Sequence, residues 1–278
     1  MRVVIRGAGD LASGVALRLW RAGMDVVLLD VEKPTAIRRT VAFSEAIVHG
    51  VQCVEDVTAR LATAETAEET LAAGYIPVLV DPEGRSIPTL RPDALVDAIL
   101  AKRNLGTKIT DAPVVIGVGP GFTAGVDCHA VVETMRGHTL GRVIREGSAI
   151  PNTGSPGLIG GFAGERVLRA LAAGLFHPLR DIGDAVTEGE ILATVEGKPI
   201  IATLTGTLRG ILPEGTEVSP GMKAGDIDPR CQRSHCFTAS DKALAVGGGV
   251  LEAILALTGA LRETGIRRAG GEGEEDHG

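Results

Sequence analysis

The sequence lacks any apolar run that approaches the roughly 18 residues needed to span a membrane. It also lacks the charged n-region and long apolar h-region of a signal peptide, because Met1 leads directly into a β-branched strand pattern. These two absences argue against a membrane protein and against secretion, and they predict a soluble chain in the cytoplasm. In that reducing compartment the four cysteines are expected to remain thiols rather than disulfides.

The sequence also has no excess of positive charge. The 28 basic and 35 acidic residues give a net charge of -7 at pH 7. Because binding to a phosphate backbone needs a basic face, nucleic acid is not an expected partner. A small acidic or phosphorylated ligand is still compatible with this charge, since it needs only a local basic pocket.

The spacings typical of metal sites are absent too, since the sequence contains neither CxxC nor HExxH. Two groups hold suitable side chains without such a spacing. The first lies in the glycine-rich segment 117–161 and comprises Asp127, Cys128, His129, Glu133 and His138. The second, at Cys231, His235 and Cys236, has no visible fourth ligand. We therefore predict no metal site.

A nucleotide-binding pattern is present at the beginning of the chain. A strand over residues 2–5 is followed by a GxGxxA turn, a helical pattern, a second strand and an acid. Glycines allow the backbone to approach a pyrophosphate at a helix N-terminus, and the acid is placed to bind ribose hydroxyls. The candidate cofactor-binding residues are therefore Gly7, Gly9, Asp10, Ala12 and Asp30. A nucleotide-free scaffold is the alternative, and Ser13 is predicted to cap the helix.

Arg38 and Arg39 follow the second strand and suit a phosphate group. Asp30 favours a plain ribose, whereas the two arginines favour an additional phosphate. The two signals disagree, so NAD and NADP both stay open as the dinucleotide.

Strands and helices alternate along the first half of the chain. Strands are predicted at 51–54, 76–80 and 114–118, and helices at 66–73 and 92–102. This alternation predicts an α/β fold with a Rossmann-like parallel sheet over residues 1–164. Segment 117–161 would then lie at the carboxyl ends of strands, where His129 and Glu133 recognise the ligand. Cys128 is a candidate reactive thiol if neighbouring groups lower its pKa.

Residues 165–228 show short alternating strands and a near-repeated phrase, G-x-x-V-x-x-G, at 183–189 and 215–221. The phrase resembles the half-repeat of a biotinyl/lipoyl-type barrel-sandwich and predicts a small all-β domain. The hairpin at Lys198 is too short to carry a prosthetic group, so this domain is interpreted as a docking module. Residues 229–257 are predicted to form a cysteine-containing loop and a C-terminal helix that packs on the first domain, followed by a disordered tail at 258–278. Cys236 is the second candidate reactive thiol.

Six motifs together resemble one known family, the selenium-dependent molybdenum hydroxylase system proteins (YqeB-like). They are RGAGDLASGVALRL from Arg6, TAIRRTVAFSEA from Thr35, GPGFTAGVDCHAVVETMRGHTLGRVI from Gly119, PNTG from Pro151, GDIDPR from Gly225 and SDKALAVGGGVLEAIL from Ser240. The resemblance extends from residue 1 to about residue 257. Its first half is also similar in type to accessory proteins of xanthine dehydrogenase, which bind molybdenum cofactor.

The resemblance implies an accessory protein for the maturation of selenium-dependent molybdenum hydroxylases. Gly7 and Gly9 would receive a phosphate of the molybdenum cofactor, Arg38 and Arg39 would neutralise it, and Cys128 or Cys236 would handle selenium or sulfur. The expected partner is the hydroxylase apo-enzyme or another maturation protein, and a homo-oligomer is compatible with the sequence.

Two alternatives stay open. One is an NAD(P)-dependent oxidoreductase in which Glu133 or His129 acts as general acid or base. The other is a thiol-based selenium carrier.

Overall fold

A computed structural model of the chain describes residues 1–154 and 157–260. The helices are α1 (Asp10–Arg21), α2 (Glu45–His49), α3 (Ala67–Ala72), α4 (Ile87–Leu90) and α5 (Asp241–Thr258). Short 3₁₀ turns occur at Arg39–Val41, Gly164–Arg166 and Arg233–Cys236. Within the described residues, no helix is long and apolar enough to cross a membrane.

Most of the strands of the first half build one large sheet. They are β1 (Arg2–Arg6), β2 (Asp25–Asp30), β3 (Val51–Val54), β4 (Val57–Ala62), β5 (Ile76–Val80), β6 (Ala94–Asp97), β7 (Val114–Val118), β8 (Thr123–Ala124), β9 (Ala130–Val132), β10 (Val143–Ile144) and β11 (Gly147–Ser148). The nine-stranded sheet has the order β10-β9-β7-β6-β1-β2-β5-β4-β3, and β8 pairs separately with β11. Its inner strands run parallel, whereas β3 and β10 at the two edges are antiparallel to their neighbours.

The two faces of this sheet are covered differently. On one face, α1 and α5 pack against a core that includes Val3, Ile5 and Val96. The other face is covered by the short helices α3 and α4 and by the segment from Phe122 to Cys128. Because both faces are covered, the inner strands β1, β6 and β7 are almost continuously apolar.

The strands of the second half are β12 (Val167–Arg169), β13 (Gly174–Pro178), β14 (Ala185–Val186), β15 (Ile191–Val195), β16 (Lys198–Ile201), β17 (Gly206–Ile211), β18 (Thr216–Val218) and β19 (Lys223–Asp228). They form two four-stranded sheets, β12-β19-β17-β14 and β16-β15-β13-β18, in which every pairing is antiparallel. A separate apolar core includes Phe176, Leu192 and Leu208.

The predicted fold class, a Rossmann-like parallel sheet followed by a barrel-sandwich, is wrong. The large sheet is mixed, and one of its faces carries loops and short helices instead of a helical layer. The helix predicted at 92–102 is instead β6 and an irregular segment, in which Leu100 and Lys102 have positive φ angles of 61° and 62°. In the second half, the repeated phrases lie on β14 and β18, which belong to two different sheets.

The last helix, α5, is capped by Ser240 at its N-terminus. The Ser240 side chain accepts a hydrogen bond from the Ala243 N–H at 3.1 Å. The helix ends before Gly259, whose φ of 70° is left-handed. The tail predicted to be disordered, 258–278, begins at the end of α5 and lies from residue 261 onward outside the described residues.

Candidate functional site

The glycine turn after β1 is held in one conformation from two sides. Gly7 has a φ of 101°, and a Cβ there would lie 2.7 Å from the Ala98 carbonyl oxygen, so only glycine fits. The Ala8 N–H donates to Asp30 Oδ2 at 2.7 Å, and the Ala8 carbonyl accepts from the Ser44 N–H at 2.9 Å. The turn therefore presents the start of α1 in a preformed geometry.

Asp30 is engaged inside the protein. Besides the bond from Ala8, its Oδ1 accepts from the Val31 N–H at 2.8 Å, and burial raises the pKa of its carboxyl group. Each oxygen thus accepts one backbone N–H bond, and Asp30 helps to fix the glycine turn.

The N-terminus of α1 has no side-chain cap. Gly9 occupies the cap position, and Asp10, the first helical residue, pairs with Arg38 instead of capping. The prediction that Ser13 caps the helix is wrong, because its hydroxyl donates to the Ala8 carbonyl and accepts from the Phe43 N–H. An uncapped N-terminus keeps backbone N–H groups and the positive end of the helix dipole available to an anion.

A cleft of about 360 Å³ opens at this end of α1, and it is termed the cationic cleft here. Among the described residues, its lining includes the basic side chains Arg38, Arg136, Arg166, Arg209, Lys223 and Lys242 and the acidic side chains Asp10 and Asp226. These come from both halves of the chain and from the start of α5. Gly9 and Asp10 line the cleft, whereas Ala12 is buried in the core.

Arg38 links the cleft to the neighbouring loops. Its side chain is 6% exposed, donates from Nη1 to both oxygens of Asp10 at 3.0 Å, and donates from Nη2 to the carbonyls of His235 and Thr238. Its buried Nε has no hydrogen-bond partner among the described residues. A buried guanidinium nitrogen without a partner is costly unless a ligand or water satisfies it.

Arg39 lies elsewhere. It donates from Nε to the Ile211 carbonyl at 3.0 Å and contacts Asp181 at 3.4 Å, and it lines a different cleft of about 630 Å³. The two adjacent arginines therefore do not act on one phosphate, and only Arg38 faces the cationic cleft.

Asp226 organises the wall contributed by the second half. Its Oδ1 accepts from Arg166 Nη1 at 2.8 Å and its Oδ2 from Arg209 Nε at 2.8 Å, and Asp226 is 1% exposed. The next inward acid on the same strand, Asp228, binds Arg230 at 2.7 Å. Burial opposes the ionised form of Asp228, but the bonds from Arg230 outweigh it and hold its pKa at about 2. Both acids thus fix arginine side chains in place.

Arg136 and Lys242 also line the cationic cleft. Arg136 makes a two-bond contact with Asp241, with distances of 2.7 and 2.9 Å, which keeps its planar group in a fixed orientation. Burial lowers the pKa of Lys242, and repulsion by Arg136 lowers it further. Because an anion favours the charged lysine, binding of one in the cleft would relieve that penalty.

The predicted recognition residues of segment 117–161 serve the protein's own backbone. His129 Nδ1 accepts from the Val115 N–H at 2.9 Å. Glu133 is 2% exposed and accepts from three backbone N–H groups, those of Thr134, Met135 and Ile150. Neither His129 nor Glu133 lines the cationic cleft.

Both candidate reactive thiols are fully buried. Burial raises the pKa of Cys128 to about 11, and it also raises that of Cys236, whose Sγ lies 3.8 Å from the Leu208 carbonyl oxygen. These environments favour the neutral thiol, which is a poor nucleophile. Among the described residues, no group of three or more His, Cys, Asp or Glu is placed to hold a metal ion.

We expect an alkylating reagent to distinguish the four cysteines in the native protein. Cys53 and Cys231 are exposed and should react first. Cys128 should react at least about 100-fold more slowly, because a pKa of about 11 instead of 9 lowers the thiolate fraction by roughly that factor. Peptide mass spectrometry over time measures the rates, and labelling in urea, where all four react, is the control. Equal native rates for Cys128 and Cys53 would contradict this assignment.

Sequence reasoning missed most of the cationic cleft, namely Arg136, Arg166, Arg209, Lys223, Asp226 and Lys242. Two signals were available. The motif GDIDPR places two acids at alternate positions, hence on one face of a strand, and SDK places a lysine in the first turn of a helix. The two arginines bound by Asp226 are Arg166 and Arg209, which are 60 and 17 positions away in the sequence, so that pairing was not visible.

Comparisons with known proteins give one extensive match. No family model matches the chain. It is 55% identical over 256 residues to the uncharacterized protein YqeB of Escherichia coli strain K12. That alignment covers 92% of this chain and 47% of YqeB, so the chain spans about half the length of this relative.

Two solved structures show low overall similarity. An aspartoacylase family protein from Mesorhizobium loti aligns at 11% identity with a TM-score of 0.26. A succinylglutamate desuccinylase/aspartoacylase from Rhodobacter sphaeroides aligns at 15% identity with a TM-score of 0.27. Each alignment covers 81% of this chain and 84% of the other. The identity and extent of the YqeB alignment support a YqeB-like family for this chain.

Proposed function

We propose that the chain binds a small phosphate-bearing ligand in the cationic cleft. The observation that carries this proposal is the uncapped N-terminus of α1, which opens onto six basic side chains drawn from distant parts of the sequence. Backbone N–H groups at a helix N-terminus and surrounding arginines are the groups that bind phosphate in proteins. The two acids of the cleft are already paired with Arg38, Arg166 and Arg209.

The distribution of charge favours an anion over a cation. Lys223 and Lys242 line the cleft and form no ion pair among the described residues, whereas both acids do. With six positive and two negative side chains, the cleft carries a local positive charge in a chain whose net charge is -7. Such a local field attracts an anionic ligand without attracting nucleic acid to the whole surface.

We further propose that this ligand is the molybdenum cofactor or a dinucleotide, and that the chain assists the maturation of selenium-dependent molybdenum hydroxylases. The support is the set of six motifs together with the fit of the cleft to the phosphate end of either compound. The proposed partner is the hydroxylase apo-enzyme or another maturation protein.

Mass spectrometry of small molecules retained by the native protein, purified under reducing anaerobic conditions, tests the ligand. We expect a phosphate-bearing compound, and titration with molybdenum cofactor, NAD(H) and NADP(H) then separates the candidates. Tight binding of NAD(H) or NADP(H) without molybdenum cofactor would point to the oxidoreductase instead. Retention of no ligand, together with failure of all three to bind, would overturn the proposal.

The Lys242→Met variant is expected to weaken the affinity for inorganic pyrophosphate by about tenfold or more, since a hydrogen bond to a charged group contributes about 1.5–3 kcal/mol. Isothermal titration calorimetry at fixed salt measures this change. Lys198→Met is the matched control, because Lys198 is exposed in the β15–β16 hairpin and does not line the cleft. Equal affinities for both variants would exclude Lys242 from the site.

A further inference from the structure

A second, smaller lobe adjoins the cationic cleft. It has a volume of about 180 Å³ and shares Arg136, Gly157 and Lys242 with the cationic cleft, so these three residues mark the junction between them. A ligand held at α1 and passing this junction would extend into the second lobe.

The chemistry of the lining changes across the junction. Beyond Arg136 and Lys242, the described residues that line the second lobe are uncharged. Pro120, Met135 and Ile150 provide apolar surface, while Thr134 and Asn152 provide hydroxyl and amide groups. Apolar walls with a few hydrogen-bonding groups are typical of pockets that hold a ring system.

Glu133 fixes the walls of this lobe. Its Oε1 accepts from the N–H groups of Thr134 and Met135, each at 2.7 Å, and its Oε2 accepts from the Ile150 N–H at 2.8 Å. Since these donors belong to two separate segments of the chain, one buried carboxylate holds both sides of the lobe in place. The backbone at these three positions is therefore preformed, and a ligand entering the lobe does not have to order it.

The Thr134 side chain also packs against the turn at Gly119. Thr134 is 8% exposed, and a Cβ at Gly119 would lie 2.8 Å from Thr134 Oγ1, so the turn after β7 packs directly against this side chain. The position of its hydroxyl group is thus set by packing, which suits a group that selects a ligand by a hydrogen bond.

We propose that the ligand is bipartite, with a phosphate or diphosphate in the cationic cleft and an uncharged, hydrogen-bonding heterocyclic ring in the second lobe. Arg136 and Lys242 at the junction hold the phosphate that links the two parts. This inference rests on the proposed function and adds where the ring of such a ligand lies and which residues contact it. A free inorganic anion fills only the cationic cleft and leaves the second lobe to water.

The test compares the affinity of the full chain for inorganic pyrophosphate with that for heterocyclic phosphate esters, by calorimetry under one salt condition. The esters are purine and pyrimidine nucleoside diphosphates, the nicotinamide dinucleotides, a flavin mononucleotide and a pterin phosphate. We expect at least one of them to bind about tenfold or more tightly than pyrophosphate, since the ring adds contacts with the second lobe.

Variants identify the residues that are responsible for the higher affinity of the ester. Thr134→Val keeps the shape of the side chain and removes its hydroxyl group, and Asn152→Ala removes the amide. Both should lower the affinity for the best ester several-fold and leave that for pyrophosphate unchanged, whereas Lys242→Met should lower both affinities. Lys198→Met should change neither.

The outcomes separate this inference from the proposed function. If pyrophosphate binds in a Lys242-dependent manner and no ester binds more tightly, the bipartite ligand is overturned and the anion site stands. The same conclusion follows if Thr134→Val and Asn152→Ala weaken pyrophosphate as much as the best ester. If neither pyrophosphate nor any ester binds, both are overturned.

Discussion

Replacing Gly249 with alanine is expected to destabilise the protein by about 2 kcal/mol, while Gly248→Ala is expected to stabilise it by up to about 1 kcal/mol. A Cβ at Gly249 would lie 2.1 Å from the Gly141 carbonyl oxygen, a backbone atom that cannot move without shifting its segment. A Cβ at Gly248 meets nothing within 4 Å. Overpacking a core costs about 1–3 kcal/mol, which exceeds the gain in helix propensity at Gly249. At Gly248 there is no overpacking, so only the gain in helix propensity is expected.

Gly247 gives an independent version of the same test. A Cβ there would lie 2.7 Å from the carbonyl oxygen of Gly14, which is where α5 packs against α1. Because all three glycines lie in one helix, the propensity term is nearly equal and the differences report packing alone. Urea denaturation with a constant m-value measures the free energies of unfolding. Equal effects of Gly247→Ala, Gly248→Ala and Gly249→Ala would contradict the close approach of α5.

Replacing Asp226 with asparagine is expected to lower the free energy of unfolding by about 3–5 kcal/mol. Asp226 is 1% exposed and binds both Arg166 and Arg209, whose side chains are 5% and 10% exposed. The substitution removes the only ion-pair partner of Arg166 among the described residues and leaves Arg209 with the more distant Asp228 carboxylate at 3.7 Å, so most of the cost of desolvating the two cations is then uncompensated.

Glu83→Gln is the matched control for Asp226→Asn. Glu83 pairs with Arg85, but these side chains are 64% and 82% exposed, so water screens the pair and its loss should change the free energy of unfolding by about 1 kcal/mol or less. A loss of stability no larger than that of Glu83→Gln would contradict the buried cluster.

Local patterns predicted the first elements of the chain well. β1, the glycine turn, α1 and β2 occur where alternation and turn residues placed them, and so do β3, β5 and β7. Such elements depend on interactions between residues close in sequence. The helix predicted at 92–102 was wrong because a short apolar run suits a buried strand as well as a helix, and only its position between β1 and β7 made it a strand.

The candidate site was predictable in part. The GxGxxA motif correctly placed a helix N-terminus, and Gly9, Asp10 and Arg38 line the cationic cleft. Arg39 was assigned to the same place because it is adjacent, but in the structure its side chain lies at a different cleft. Cys128, chosen for its chemistry, is enclosed in the core, where burial raises its pKa.

The sequence by itself determined the strand, turn and helix at which we propose that a phosphate binds, since these elements depend on residues close together in the sequence. Only the tertiary structure decided which charges surround that helix end. Arg166 in the 3₁₀ turn Gly164–Arg166, Arg209 on β17 and Lys242 on α5 line the same cleft, although each is more than 150 positions from the start of α1. Electrostatic interactions depend on the distance between charges in space, and the order of residues along the chain does not specify that distance.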